Sequence, residues 1–139
     1  MAAIAYRTGI DRTTGKPLVG WMHVQQSLAV IWTTRVGERV MRLTFGSNLR
    51  SWLSEDINAA TALGIYDELI TAAHQWEPEY RITEMQLVKL VRDGVLGLRH
   101  AGIYYPEGRL GNYGIAQAVG GSLALAGTAI ATRGRAINA

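Results

Sequence analysis

The stretch Trp76-Glu77-Pro78-Glu79-Tyr80-Arg81-Ile82 is where the chain changes its period. Upstream, Asn58 to Trp76 repeats at three- and four-residue steps. Leu63, Tyr66, Ile70 and Ala73 make one face, Leu69 and Trp76 broaden it, and Asp67, Glu68 and Gln75 fall outside it, which predicts an amphipathic helix. Gly64 costs that helix about 1 kcal/mol relative to alanine and admits a close neighbour. Pro78 forces the stop and pushes Glu77 out of helical geometry. Downstream the pattern is that of strands. Ile82 to Val91 is rich in branched residues, with Thr83, Met85 and Leu87 on one face and then Val88 and Leu90 on the other. Such a slip reads as a bulge or as a strand buried on both faces. Arg92-Asp93-Gly94 supplies a hairpin turn, and Val95 to Tyr104 returns as the second strand. Pro106 and Gly108 make a turn, and Arg109 to Tyr113 is expected to add a short edge segment.

Working outward, Trp21 to Thr34 predicts another helix, with Trp21, Val24, Leu28 and Ile31 on its apolar face and a stop at Arg35-Val36-Gly37. Gly37 to Gly46 is a compact connection. Ser47 or Asn48 caps a short helix through Leu49, Trp52 and Leu53, and Ser54-Glu55-Asp56 breaks it. Residues 1–20 are rich in turn formers, without a period, and read as an arm that orders on a partner. Residues 114–139 are rich in Ala and Gly. Val119, Leu123, Leu125 and Ile130 there suit either an extended strand or a poor helix. The fold class is therefore α+β: N-terminal helices packed on a small, mostly antiparallel sheet, with an extended C-terminal tail. The expected division is an arm at 1–20, a domain at 21–113 and a tail at 114–139.

The 139 residues suit one domain. Charged residues make up 18%, against roughly 25% in typical soluble domains, so part of the surface is expected to face other proteins. The net charge of +3 comes from twelve Arg and two Lys against eleven acids. It is too scattered for nucleic-acid binding, and Arg suits carboxylates at protein interfaces as well as phosphates. No cysteine is present, which excludes disulfides, thiolate metal sites and a cysteine nucleophile. The first residues lack the pattern of a secretory signal. The run from Ile115 to Thr132 is uncharged but too weakly apolar for a membrane span.

Little in the sequence points to chemistry. His23, His74 and His100 lie far apart, without metal-ligand spacing, and read as surface or core-rim histidines. No serine has a nucleophile-elbow context, and no Gly-Lys-Ser/Thr follows Gly120-Gly121-Ser122. The carboxylate pairs Glu55/Asp56 and Glu77/Glu79 are the only candidates for sugar hydrolysis. A junction carboxylate more often pairs with an arginine. No cofactor and no metal are expected.

Two stretches carry a resemblance. The first runs from Val24-Gln25-Gln26-Ser27 through Thr34-Arg35-Val36-Gly37-Glu38-Arg39 to Phe45-Gly46-Ser47-Asn48-Leu49; the second is Trp76-Glu77-Pro78. In order and spacing they resemble the W-protein (lysozyme-like) family of phage baseplate wedge proteins, over about residues 20–113. That family carries Glu-Pro-Arg where this chain has Glu77-Pro78-Glu79, so Arg81, two residues on, is the expected substitute. The resemblance implies a non-enzymatic virion protein of the tail baseplate, whose lysozyme-like label is historical. It implies contact with the wedge-core bundle through Glu77, Pro78 and Arg81, and initiation of the sheath by strand exchange. Glu38 and Arg39 are a candidate contact turn. Tyr104 and Tyr105 serve either as anchors at the exchanging edge or as core. The implied partners are baseplate wedge proteins, the sheath protein and tube or hub proteins, with neither nucleic acid nor membrane. A peptidoglycan hydrolase of the tail is the alternative.

Overall fold

A computed structural model describes residues 3–53, 56, 58–91, 95–126 and 129–135. The elements run β1 (Thr8–Ile10), β2 (Pro17–Val19), α1 (Trp21–Thr33), α2 (Leu49–Leu53), α3 (Ala59–Trp76), β3 (Tyr80–Val91), β4 (Val95–Tyr104), a 3₁₀ turn (Gly108–Leu110), β5 (Gln117–Ala126) and β6 (Ala129–Arg135). β1 and β2 form a small hairpin; β3-β4-β5-β6 form one antiparallel sheet. The fold is α+β, as expected. The C-terminal stretch is extended, and it joins the sheet: β5 pairs with β4 from Leu96↔Leu125 to Tyr104↔Gln117.

The core lies between the helices and one sheet face. Val24, Leu28, Ile31 and Trp32 of α1 meet Ile65, Leu69, Ala72 and Ala73 of α3 over Tyr80, Leu96, Leu98, Val119 and Leu123. The Trp32 indole N–H donates to the Leu69 carbonyl at 2.9 Å, fixing the two helices in register. The α1 face falls as the periodicity predicts, except that Trp21 is only half-buried. The α3 face is rotated from its prediction. Leu63 is 67% exposed, while Thr61, Ile65 and Leu69 point inward. Hydrophobicity alone ranked Leu63 as core, but its position looks away from the sheet. Asn58 caps α3 by accepting from the Thr61 N–H at 2.9 Å. Gly64 admits the neighbour expected of it: a methyl group there would lie 2.6 Å from the Trp52 ring.

α1 ends on its own threonines. The hydroxyls of Thr33 and Thr34 donate to the carbonyls of Ala29 and Val30 at 2.7 and 2.6 Å. Ser47 then serves two further carbonyls, its hydroxyl reaching Trp32 at 2.8 Å and its N–H reaching Thr34 at 2.9 Å. The slip in β3 is a bulge, with register shifts between Ile82 and Glu84 and between Leu87 and Lys89. Gly102 opposes the first shift so closely that a methyl group would lie 2.0 Å from the Arg81 carbonyl oxygen. The Arg92-Asp93-Gly94 turn lies outside the described residues. Arg109 to Tyr113 forms no edge segment: Gly108–Leu110 is a 3₁₀ turn closed by Gly111 in the left-handed region.

The arm is ordered against the body. β1 and β2 lie over the start of α1, where the Gln26 side chain accepts from the Arg12 N–H and donates to the Ile10 carbonyl, each at 2.9 Å.

Candidate partner-binding site

At Pro78 the helix cannot continue, and the chain turns into β3. Glu77 caps α3 at φ −123° and ψ 88°, its N–H bonded to the Ala73 carbonyl at 2.8 Å. Glu79 is the last residue before the strand, and its carbonyl accepts from Tyr105 at 2.7 Å. Both carboxylate side chains are fully buried. Buried carboxylates need cations beside them.

Two arginines from distant parts of the chain supply that charge. Arg7 of the arm places Nη2 2.7 Å from Glu77 Oε2, and its Nε lies 3.9 Å from Glu79 Oε2. Arg109 of the 3₁₀ turn places Nη1 2.8 Å from Glu79 Oε1 and 2.9 Å from the Pro106 carbonyl, with Nη2 on the Ala5 carbonyl at 2.9 Å. Each guanidinium keeps about a quarter to a third of its side chain in solvent (25% for Arg7 and 30% for Arg109). The junction therefore hides Glu77 and Glu79 and leaves part of Arg7 and of Arg109 in solvent.

The surroundings hold this arrangement. Arg7 Nε donates to Nδ1 of His23 at 3.1 Å, and burial together with the Arg7 charge keeps His23 below the usual histidine range, as an acceptor must be. Glu107 accepts from the Ala5 N–H at 3.0 Å and from the Asn112 amide at 2.6 Å, and these bonds hold its carboxyl below the ordinary range. Tyr104 lies beneath, its phenol pushed up to about 12 by burial and by the Glu79 charge. Trp21 packs on both Tyr80 and Tyr104, with ring centres 4.8 and 5.7 Å apart.

Measured against the expectations, Glu77 and Pro78 stand at the junction, but Arg81 does not join them. Tyr80 and Ile82 face the core, so Arg81 between them faces solvent. Glu79, the residue before the strand, is buried, so it and Arg81 do not share a face. Arg7 and Arg109 were missed; one sits in an aperiodic arm and the other in a turn, and only the folded chain brings them together. Tyr104 is fully buried on β4, an interior strand paired on both sides, so it cannot mark an exchanging edge. Tyr105 is half-buried and packs edge-on against Tyr113, ring centres 5.2 Å apart. Glu38 and Arg39 are exposed on the loop that follows α1. The Glu38 carboxylate accepts from the Arg35 N–H at 2.9 Å, and Arg39 lies over the Phe45 ring.

Among the described residues no group of His, Asp or Glu is arranged to hold a metal, and no helix is long and apolar enough to cross a membrane.

Comparisons with known proteins bear on the family and the fold. The profile of the family described as baseplate wedge protein gp25 matches residues 20–96. Baseplate protein W of Escherichia phage P2 is 32% identical over 77 residues, which are 55% of this chain and 67% of that protein. A chain in the cryo-EM structure of the post-contraction pyocin R2 baseplate superposes with a TM-score of 0.60 at 32% identity, covering 70% of this chain and 98% of that one. Two others share the fold: a Geobacter sulfurreducens protein provisionally named a tail lysozyme (TM-score 0.57, 24% identity, 78% and 93% covered), and a chain of the anti-feeding prophage baseplate (0.53, 23%, 71% and 79%).

Proposed function

This chain belongs to the gp25 family of baseplate wedge proteins, and from that premise we propose that it is a non-enzymatic structural subunit of a contractile tail baseplate. In this reading it works in the virion, joining the wedge core at the Glu77-Pro78-Glu79 junction and starting the sheath by strand exchange. The observation that carries the reading is the charge inversion at the junction. Glu77 and Glu79 are fully buried, and the groups left for a partner are the outward edges of Arg7 and Arg109. The cation shown by the family's Glu-Pro-Arg signature is then supplied here by Arg109 and Arg7 rather than by Arg81.

The sheet suggests which edge receives the sheath. On the β3 side, α3 side chains occupy strand N–H groups: His74 Nε2 accepts from Ile82 at 3.1 Å and the Tyr66 hydroxyl from Leu87 at 2.7 Å. β6 is paired only with β5 among the described residues, so its outer N–H and C=O groups offer the ladder for strand addition. The hydrolase alternative fits less well. A general acid must reach substrate, and here both carboxylates are enclosed and ion-paired.

The test is co-expression with the wedge and sheath proteins of the same particle. The wild-type chain is expected to co-purify with the wedge proteins. Arg109→Met combined with Glu79→Gln, which removes the exposed cation without leaving its buried carboxylate unpaired, should weaken that association roughly ten-fold or more, with an unchanged circular-dichroism spectrum. Recovery of the wild-type chain with neither partner would overturn the reading.

A further inference from the structure

We propose that the loop from Val36 to Leu43 is a second docking surface, which seats an acidic segment of a neighbouring protein over Val40 and Met41. These two adjacent apolar side chains are 86% and 93% exposed. A single exposed aliphatic residue needs no explanation, but here two stand together at a loop tip, with Val36 and Leu43 also exposed below them.

The loop is braced. The Gly37 N–H donates to the Leu43 carbonyl at 2.7 Å and closes it. Tighter turns inside it join Glu38 N–H to the Arg35 carbonyl and Arg42 N–H to the Arg39 carbonyl, each at 3.1 Å. The guanidinium carbons of Arg39 and Arg42 each lie 4.8 Å from the Phe45 ring centre, and that of Arg42 also lies 5.2 Å from the Trp76 ring. Phe45 in turn packs edge-on against Trp76 at 5.2 Å. Such a loop has already met most of the ordering cost of binding.

Charge selects the occupant. Arg39 and Arg42 flank Val40 and Met41 in the chain, Arg35 is exposed at the base of the loop, and the one acid of the loop, Glu38, is committed to the Arg35 N–H. A guanidinium stacked by its face leaves its N–H edge for a carboxylate. Two exposed aliphatic side chains give a nucleic-acid backbone nothing to bind, and they are too small a face for stable insertion in a lipid interface. A protein segment bearing carboxylates around an apolar recess meets every feature. Trp76, which braces the loop, immediately precedes Glu77, so this surface and the junction are supported by one residue.

That the neighbour is another baseplate protein rests on the function proposed above; the chemistry of the surface does not. The probes are the wedge and sheath proteins of the same particle, co-expressed with the full chain. One form carries benzoylphenylalanine in place of Met41; another carries Val40→Asp and Met41→Asp. The crosslink is expected on an Asp/Glu-rich segment. The double variant should bind about ten-fold or more weakly while melting at the wild-type temperature, because both side chains stand in solvent. A double variant that binds as wild type, or a crosslink on a Lys/Arg-rich segment, would overturn the inference. So would flotation of the wild type, but not the double variant, with anionic phospholipid vesicles. A wild-type chain that joins no complex defeats the baseplate reading as well, which separates the two failures.

Discussion

His100 shows what a single buried residue imposes. It sits 6% exposed on β4, its Nδ1 2.8 Å from the Tyr80 hydroxyl and its ring edge-on to Trp32 at 5.2 Å. Burial pushes its pKa down to about 4 from an ordinary 6.5. The unfolded chain therefore takes up the proton first. The stability that neutral His100 contributes is complete above about pH 6.5 and is lost as pH falls towards 4. His23 and His74 are lowered in the same direction, chiefly by burial, and add to the slope. Urea unfolding at a series of pH values should show stability falling through this window, and His100→Gln should flatten much of the fall. The sequence reading left all three histidines at the surface or the core rim, and only His100 is a core residue. Spacing could not separate it from the others, because β4 alternates buried and exposed positions and the phase is set by its neighbours in the sheet.

Among the elements, those with a strong period were legible. The helices, β3, β4 and the bulge follow from residue spacing, and Pro78 fixed where helix became strand. The phase of α3 was not legible, because Leu63 and Ile65 are equally apolar and only packing against the sheet chooses between them. The arm and the last strands were less legible still. The arm lacks a period because its described residues, 3–20, are held by specific polar bonds rather than by an apolar face. Arg7 is the clearest case, and it lies outside the part of the chain that the family profile matches. Removing it should leave Glu77 buried without its closest cation. Arg7→Ala is therefore expected to destabilise the chain by about 3 kcal/mol. Arg7→Lys should recover part of that loss. Denaturant midpoints at constant slope would measure both.

At the scale of the molecule the sheet is asymmetric. One side is partly occupied by α3 side chains, and the other ends in β6. A chain ending at Ala126 keeps Val119 and Leu123 in the core and β5 on β4. It should therefore fold and still join the wedge proteins. If β6 is the template for the sheath, the same chain should fail to nucleate sheath assembly, which negative-stain microscopy of reconstituted baseplates would reveal. Sheath growth at the wild-type rate would move the exchanging edge elsewhere.

The bonds that join Ala5 to Glu107 and Arg109 span more than a hundred residues. Their consequence is one of timing. The arm leaves the ribosome before its partners at positions 107 and 109, which follow only after about 5 to 20 s of synthesis at usual rates. Until then Arg7 has no complete seat, and the long loop must close before these bonds can form. A nascent or truncated chain thus lacks a finished junction, and only a chain translated past Arg109 is ready to be built into a particle.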